Sequence, residues 1–308
     1  MKAGICCGVA VLGSVFGLCA WAGTDGVWTL GGSGTAQWAD AGNWADGVVA
    51  DGADATARFD GVDVGNRYID LGGATRTIGH LVFGDTSVTP GDWWDVNKGT
   101  LNLSVSSGLP TIEVGHVAGG VGVPAFVVGD FRKLGSRTLY LKSMTSSSID
   151  VAEGMISFAL SADDTKFTTQ NISGSGGVEF LDQRQGYYTF RDYQYSGTLS
   201  YTGHTVVELT PGQGAWYEGT LWLEKDDVLP HATVVELKSG KIYLRAQTGN
   251  GINVAGLTGN AGTFITTDRS SWEIQKLTVN VAEGEAYAYD GTIGADGSGV
   301  GNNNLALT

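Results

Sequence analysis

At 308 residues the chain is long enough for one elongated domain or two ordinary ones. Its 49 glycines against five prolines, with no G-X-Y period, exclude collagen and predict many turns between short strands. A formal net charge of −14, scattered along the chain, excludes binding driven by counterion release from phosphate and disfavours anionic membrane surfaces, so nucleic acid is not an expected partner.

Residues 1–22 stand apart. Lys2 is the only charge before Asp25, Ala3 to Ala22 is an apolar run, and Ala20-Trp21-Ala22 has the A-x-A form of a signal-peptidase site. About 20 apolar residues can also span a bilayer, but glycines at 4, 8, 13 and 17 make a poor helix, and no basic stop signal follows. Leu18 before Cys19 is a weak lipoprotein site. The segment therefore reads as a cleaved signal peptide. Cys6, Cys7 and Cys19 all lie within it, so the mature chain is expected to have no disulfide, no thiolate metal site and no membrane span.

Residues 23–75 hold Trp28, Trp38 and Trp44 together with Asp-Gly pairs beginning at Asp25, Asp46, Asp51 and Asp60. Such pairs favour tight turns, and short strands around large aromatics suit a cap over the open edge of a longer stack of strands. From residue 76 onward a rhythm begins. Gly79 leads Leu81 and Phe83, and Gly99 leads Leu101 and Leu103. Between Val114 and Leu141 the rhythm breaks around Pro124 and a Phe126–Val128 run, which predicts irregular turns or an inserted hairpin.

It then returns with force. Gly154, Gly176, Gly197, Gly219, Gly240, Gly262 and Gly284 recur at almost equal intervals, most followed by apolar residues at +2 and +4. Alternation turns one side chain in two inward, and a repeat of this length with one strand per glycine fits stacked turns of a parallel β-helix. Each glycine is expected at a corner needing positive φ or close backbone approach. The fold class predicted is all-β, a parallel β-helix over 76–308 with a strand-rich cap at 23–75.

Ser196 to Val207, Gly219 to Leu223 with Leu229-Pro230, Val254 to Gly259 and Asn304 to Thr308 resemble the rung segments of bacterial autotransporter-associated β-strand repeat proteins. Gly42 to Ala45 and Asp54 to Phe59 resemble the openings of large secreted proteins that carry these repeats. The resemblance covers about half the chain. It implies a right-handed, non-catalytic β-helix passenger, secreted or displayed on a Gram-negative-type cell, as a stalk or adhesin-like component. The repeat's usual continuation falls just past Thr308, so the chain resembles a truncated member.

Parallel β-helices also include polysaccharide lyases and hydrolases, whose chemistry needs carboxylates converging on a cleft. Asp163-Asp164 and Asp226-Asp227 are adjacent pairs, which on a strand point to opposite faces, and both sit in turn-like stretches. His80, His116, His204 and His231 form no metal-binding spacing, and the glycine clusters lack the lysine of a phosphate loop. Asp296 to Gly299 resembles a calcium-binding nonapeptide but occurs once. No catalytic residue, metal or cofactor is expected.

One pattern rises above this background. If +2 and +4 face inward, +3 faces outward, which lines up Trp222, Tyr243 and Tyr287 in a largely aromatic row. Exposed aromatics in line stack on sugar rings, and equally they stack on each other or on a second chain. The expected function is thus a non-enzymatic surface protein with an extracellular glycan or cell envelope as partner. The alternative is a carbohydrate-binding or carbohydrate-active β-helix.

Overall fold

The computed structural model describes residues 23–87, 89–117, 119–160, 171–182, 192–195, 198–209, 219–223, 226–244, 251–267, 274–294 and 305–308. The signal-like segment, Gly197, Asp163-Asp164 and Asp296 to Gly299 lie outside them.

Among the described residues the protein is all-β, apart from two 3-10 turns at Ala41–Asn43 and Ala45–Gly47. Its strands form an eleven-, a ten-, a five- and a three-stranded sheet. Every strand-to-strand pairing between them is parallel among the described residues. Short strands, bounded by glycine and buried on their inner face, are what the composition favours.

Up to Gly240 the alternating pairs face inward, whereas Ala286 and Ala288 after Gly284 are exposed. Leu81, Phe83, Ile156, Phe158, Val178, Phe180, Leu221, Leu223, Ile242 and Leu244 are all buried. One column runs through the ten-stranded sheet as Trp94, Val121, Leu139, Ile156, Val178, Thr205, Val235 and Leu257, each paired with the next. Burying each such aliphatic side chain is worth about 1.5–3 kcal/mol, so these columns hold the ladders together. Thr205 is the polar member, and its hydroxyl is satisfied by Tyr201 Oη at 2.6 Å and Thr233 Oγ1 at 2.9 Å.

The corner glycines take the expected conformation at the described positions. Gly154, Gly219, Gly240, Gly262 and Gly284 all have positive φ. Gly176 is a close-approach position, since a Cβ there would lie 2.6 Å from Val151 Cγ1.

Three expectations are corrected. Val114 to Leu141 contains no hairpin among its described residues. Val121–Val123, Phe126–Val128, Phe131–Leu134 and Thr138–Leu141 are short parallel strands, and the sharp bends between them at Pro124, Gly129 and Gly135 disguised their regularity. The spacing is not constant either. Within the Trp94 column the step from Leu139 to Ile156 is short and the step from Thr205 to Val235 is far longer. Finally the phase slips after Gly262. Ile265 and not Phe264 pairs with Ile242, so Ile265 and Thr267 take the inward positions and Phe264 moves toward the surface. A one-residue slip exchanges the two faces of a strand.

The first strands belong to the same ladders as the rest. Gly52–Phe59 pairs with Thr75–Phe83, and Val64–Asp70 pairs with Trp93–Asn97. Trp28, Trp38, Trp44 and Phe59 cluster there with ring centroids 5.2–5.7 Å apart. Each of the three indoles donates to a backbone carbonyl, of Leu30, Ala50 and Trp38 respectively. The Asp46-Gly47 pair makes a tight turn with both residues at positive φ, as its sequence predicts.

Thr75–Phe83 is the branch point of the eleven-stranded sheet. Its first half pairs with Thr100–Leu103 and its second half with Thr111–Val114. Two separate ladders descend from it. Between Trp93 and Val151 the chain therefore visits three ladders in turn, the ten-stranded sheet and then these two, and it makes three such passes in all.

Candidate functional site

The aromatic row is realised in part. Trp222 and Tyr243 are register partners on neighbouring strands of the five-stranded sheet, with ring centroids 4.6 Å apart. Both are buried, at 2% and 5% exposure, so neither turns a ring to solvent. The next residue in their row is Thr266, because of the slip after Gly262. Tyr287 stands elsewhere, its ring against Gly256 of the ten-stranded sheet. The row expected to be exposed is a buried pair of rings in tilted contact, at 36°, plus an unrelated tyrosine. Periodicity identifies which residues leave the inner face, but whether that outer face meets water is decided by the rest of the molecule.

The acidic pair at 226–227 behaves as turn residues. Asp226 accepts a hydrogen bond from the Gly251 amide at 2.9 Å. Asp227, at positive φ, accepts from Asn253 Nδ2 at 2.6 Å and faces His231 Nε2 at 3.1 Å. His80 Nδ1 lies 2.8 Å from Thr111 Oγ1 on the adjacent strand.

A carboxylate cluster that the sequence did not disclose lies in the turns before the ten-stranded sheet. Asp63, Asp85 and Asp92 bring carboxylate oxygens within 4.8 Å of one another, with Asp85 and Asp92 buried. Oxygen-only donors of this kind suit a hard cation. Protein donors already hold two of the three, however. Asp85 accepts from the Val64 amide at 3.2 Å and the Ser87 amide at 2.9 Å, and Asp92 accepts from Ser87 Oγ at 3.1 Å. The cluster clasps a turn. Its members fall at irregular intervals with no motif, so only the fold brings them together.

A cleft of about 370 Å³ opens beside the first strand, between Asp25, Val27, Asp46, Val48 and Arg58. Two of its three charged residues are committed locally: Asp25 Oδ1 accepts from the Thr56 amide at 2.7 Å, and Arg58 pairs with Asp60.

Burial lowers the Arg67 guanidinium and raises the Tyr140 and Tyr289 phenols, and it displaces two further groups more strongly. The Asp95 carboxyl is pushed up to about 6, with Lys142 pulling the other way. The Lys133 amine is pushed down to about 8, opposed by Glu153. Lys133 points inward between Ile112 and Val151, and its Nζ donates to the carbonyls of Gly135, Arg137 and Glu153. That amine is a structural tie.

No protein-family model, curated protein or solved structure matches the chain. Among the described residues no helix is long and apolar enough to cross a membrane.

Proposed function

We propose that this is a non-enzymatic, exported β-helical repeat protein, a stalk or adhesin-like passenger displayed on or released from a Gram-negative-type cell. One observation carries the reading: three passes through three parallel ladders, in the same order, between Trp93 and Val151. A chain that repeats such an order winds as a coil, with each turn burying its inner face against its neighbours. Right-handed connections between parallel strands are the strong default. At about 4.8 Å per turn the ten-stranded ladder spans roughly 43 Å, a rigid spacer built without cysteine cross-links. The signal-like residues 1–22 and the repeat-like segments from Ser196 to Gly259 support export and display.

Two measurements test this. Small-angle X-ray scattering of the purified chain is expected to give the pair-distance profile of a rod, and a compact spherical profile sinks the coil. Intact mass of the product exported by a Gram-negative host is expected to begin at Gly23 and to carry no thiol. A product retaining Cys19 defeats the proposed processing.

A further inference from the structure

The outer face of the ten-stranded sheet carries an aromatic surface around Trp93. That residue, Asp95 and Asn97 point outward from their strand while Trp94 and Val96 are buried. The next strand, Val121–Val123, is preceded by Gly119 and Gly120 and offers only Gly122 outward opposite Asp95. Beyond it, Tyr140 pairs with Gly122.

Trp93 and Tyr140 thus start two strands apart and two residues out of register, since Gly122 joins Tyr140 to Asp95, so their backbones are separated by more than about 9.6 Å. Their ring centroids are nevertheless 4.9 Å apart. They close over the strand between them because it has no side chains in the way. A Cβ on Gly119 would lie 3.2 Å from Trp93 Cε3, and one on Gly122 would lie 3.0 Å from Cζ2 and 3.2 Å from Nε1. A Cβ on Gly120 would lie 2.9 Å from Tyr140 Cε2. The indole therefore lies along a glycine floor, backed by the sheet and still partly exposed, as is Tyr140.

Polar groups adjoin the rings. Asp95 Oδ1 would meet a Gly122 Cβ at 3.0 Å, and it is buried without a hydrogen-bond partner. Tyr68, 40% exposed, is the register partner of Asp95 on the other side.

We propose that Trp93 and Tyr140 form a stacking platform for an uncharged hexose chain, with Asp95 and Tyr68 receiving its hydroxyls. The two backed rings, inclined at 42° to each other, offer apolar area to the C–H faces of successive pyranoses, and a carboxylate is the stronger acceptor for a hydroxyl. The net charge of −14 and Asp95 itself repel polyanions. Two rings are far too small for a protein interface, which buries about 800 Å² per partner. Binding here is independent of export, because it is measured on the purified chain.

The test is native electrophoresis in gels cast with hydroxyethylcellulose, laminarin or mannan. At least one of these neutral polymers is expected to retard the protein. Trp93→Ala and Tyr140→Ala are each expected to weaken retardation about tenfold, the loss of about 1.4 kcal/mol of stacking, with little change in melting temperature. Gly122→Leu, which pushes into the indole from below, is expected to do the same. Should Trp93→Ala fail to fold, Tyr140→Ala and Asp95→Asn decide. Retardation by none of the three polymers overturns the proposal. So does retardation that the ring variants leave intact, or retardation by alginate alone.

Discussion

Lys133 Nζ lies 2.9 Å from the carbonyl oxygen of Glu153, in a core column whose neighbouring members are Ile112 and Val151. Burial holds its amine near 8, below the range around 10.4 of an unfolded lysine. Between those values the unfolded chain keeps a proton that the native chain has released. The contribution of Lys133 to stability is therefore full above pH 10.4 and is lost as pH falls through 8. Lys133→Met keeps the length but leaves the carbonyls of Gly135, Arg137 and Glu153 without a donor, two of which the neutral amine still serves above pH 8, and is expected to cost about 2 kcal/mol or more. In urea titrations the gap between wild type and variant is expected to widen from pH 8 to pH 10; a constant gap contradicts the sign.

Asp70 and Lys98 predict an acid limb. Lys98 Nζ donates to Asp70 Oδ2 at 2.8 Å, and the Gly72 amide donates to Oδ1 at 2.7 Å. The Lys98 hydrogen bond first, then the Gly72 amide, hold the carboxyl below the usual carboxylate range. A depressed carboxyl stabilises above its unfolded value near 3.9 and loses that contribution as pH falls through the folded one. Asp70→Asn is expected to lower the urea midpoint at pH 7 and to narrow its difference from wild type at pH 3. Equal differences at both values would exclude this pair as a source of acid sensitivity.

Trp222 and Tyr243 are core residues in their effect on stability. Trp222→Ala is expected to cost about 3–5 kcal/mol, as is typical of emptying a buried aromatic site. The double-mutant cycle with Tyr243→Ala should return about 1 kcal/mol of coupling for the tilted ring pair. Leu221→Asp, on the inner face of the same strand, is expected to unfold the protein. A Trp222→Ala variant that melts with wild type would return its ring to the surface.

Gly240 and Gly262 share positive φ, at 86° and 83°, but differ in surroundings. A Cβ on Gly240 would lie 2.5 Å from the Gly219 carbonyl oxygen and 2.8 Å from Leu209 Cβ, while one on Gly262 meets nothing within 4 Å. Gly262→Ala is expected to cost only the left-handed backbone penalty, about 1 kcal/mol. Gly240→Ala adds a clash with backbone that cannot yield, for about 3 kcal/mol in total. Equal losses in thermal unfolding would mean that the corner at 240 opens freely.

What the sequence determined by itself was local. Alternation marks Ile156 and Phe158, or Leu221 and Leu223, as one face of a strand because the side-chain period is two residues whatever the strand pairs with. Gly154, Gly219 and Gly240 announce corners because the conformation required there favours glycine. Which strand lies beside which was decided only by the tertiary structure. Gly176 and Gly219 belong to one rhythm, yet the strands they precede lie in different sheets, Gly177–Asp182 in the ten-stranded and Thr220–Leu223 in the five-stranded. Lengthening a connection costs little entropy, so the chain can reach the next strand by a short path, as from Leu139 to Ile156, or a long one, as from Thr205 to Val235. The spacing then no longer reveals the partner. For the same reason the approach of Trp93 to Gly122, the gathering of Asp63, Asp85 and Asp92, and the burial of Trp222 have no local signature. Each depends on side chains brought together by packing rather than by neighbourhood in the chain.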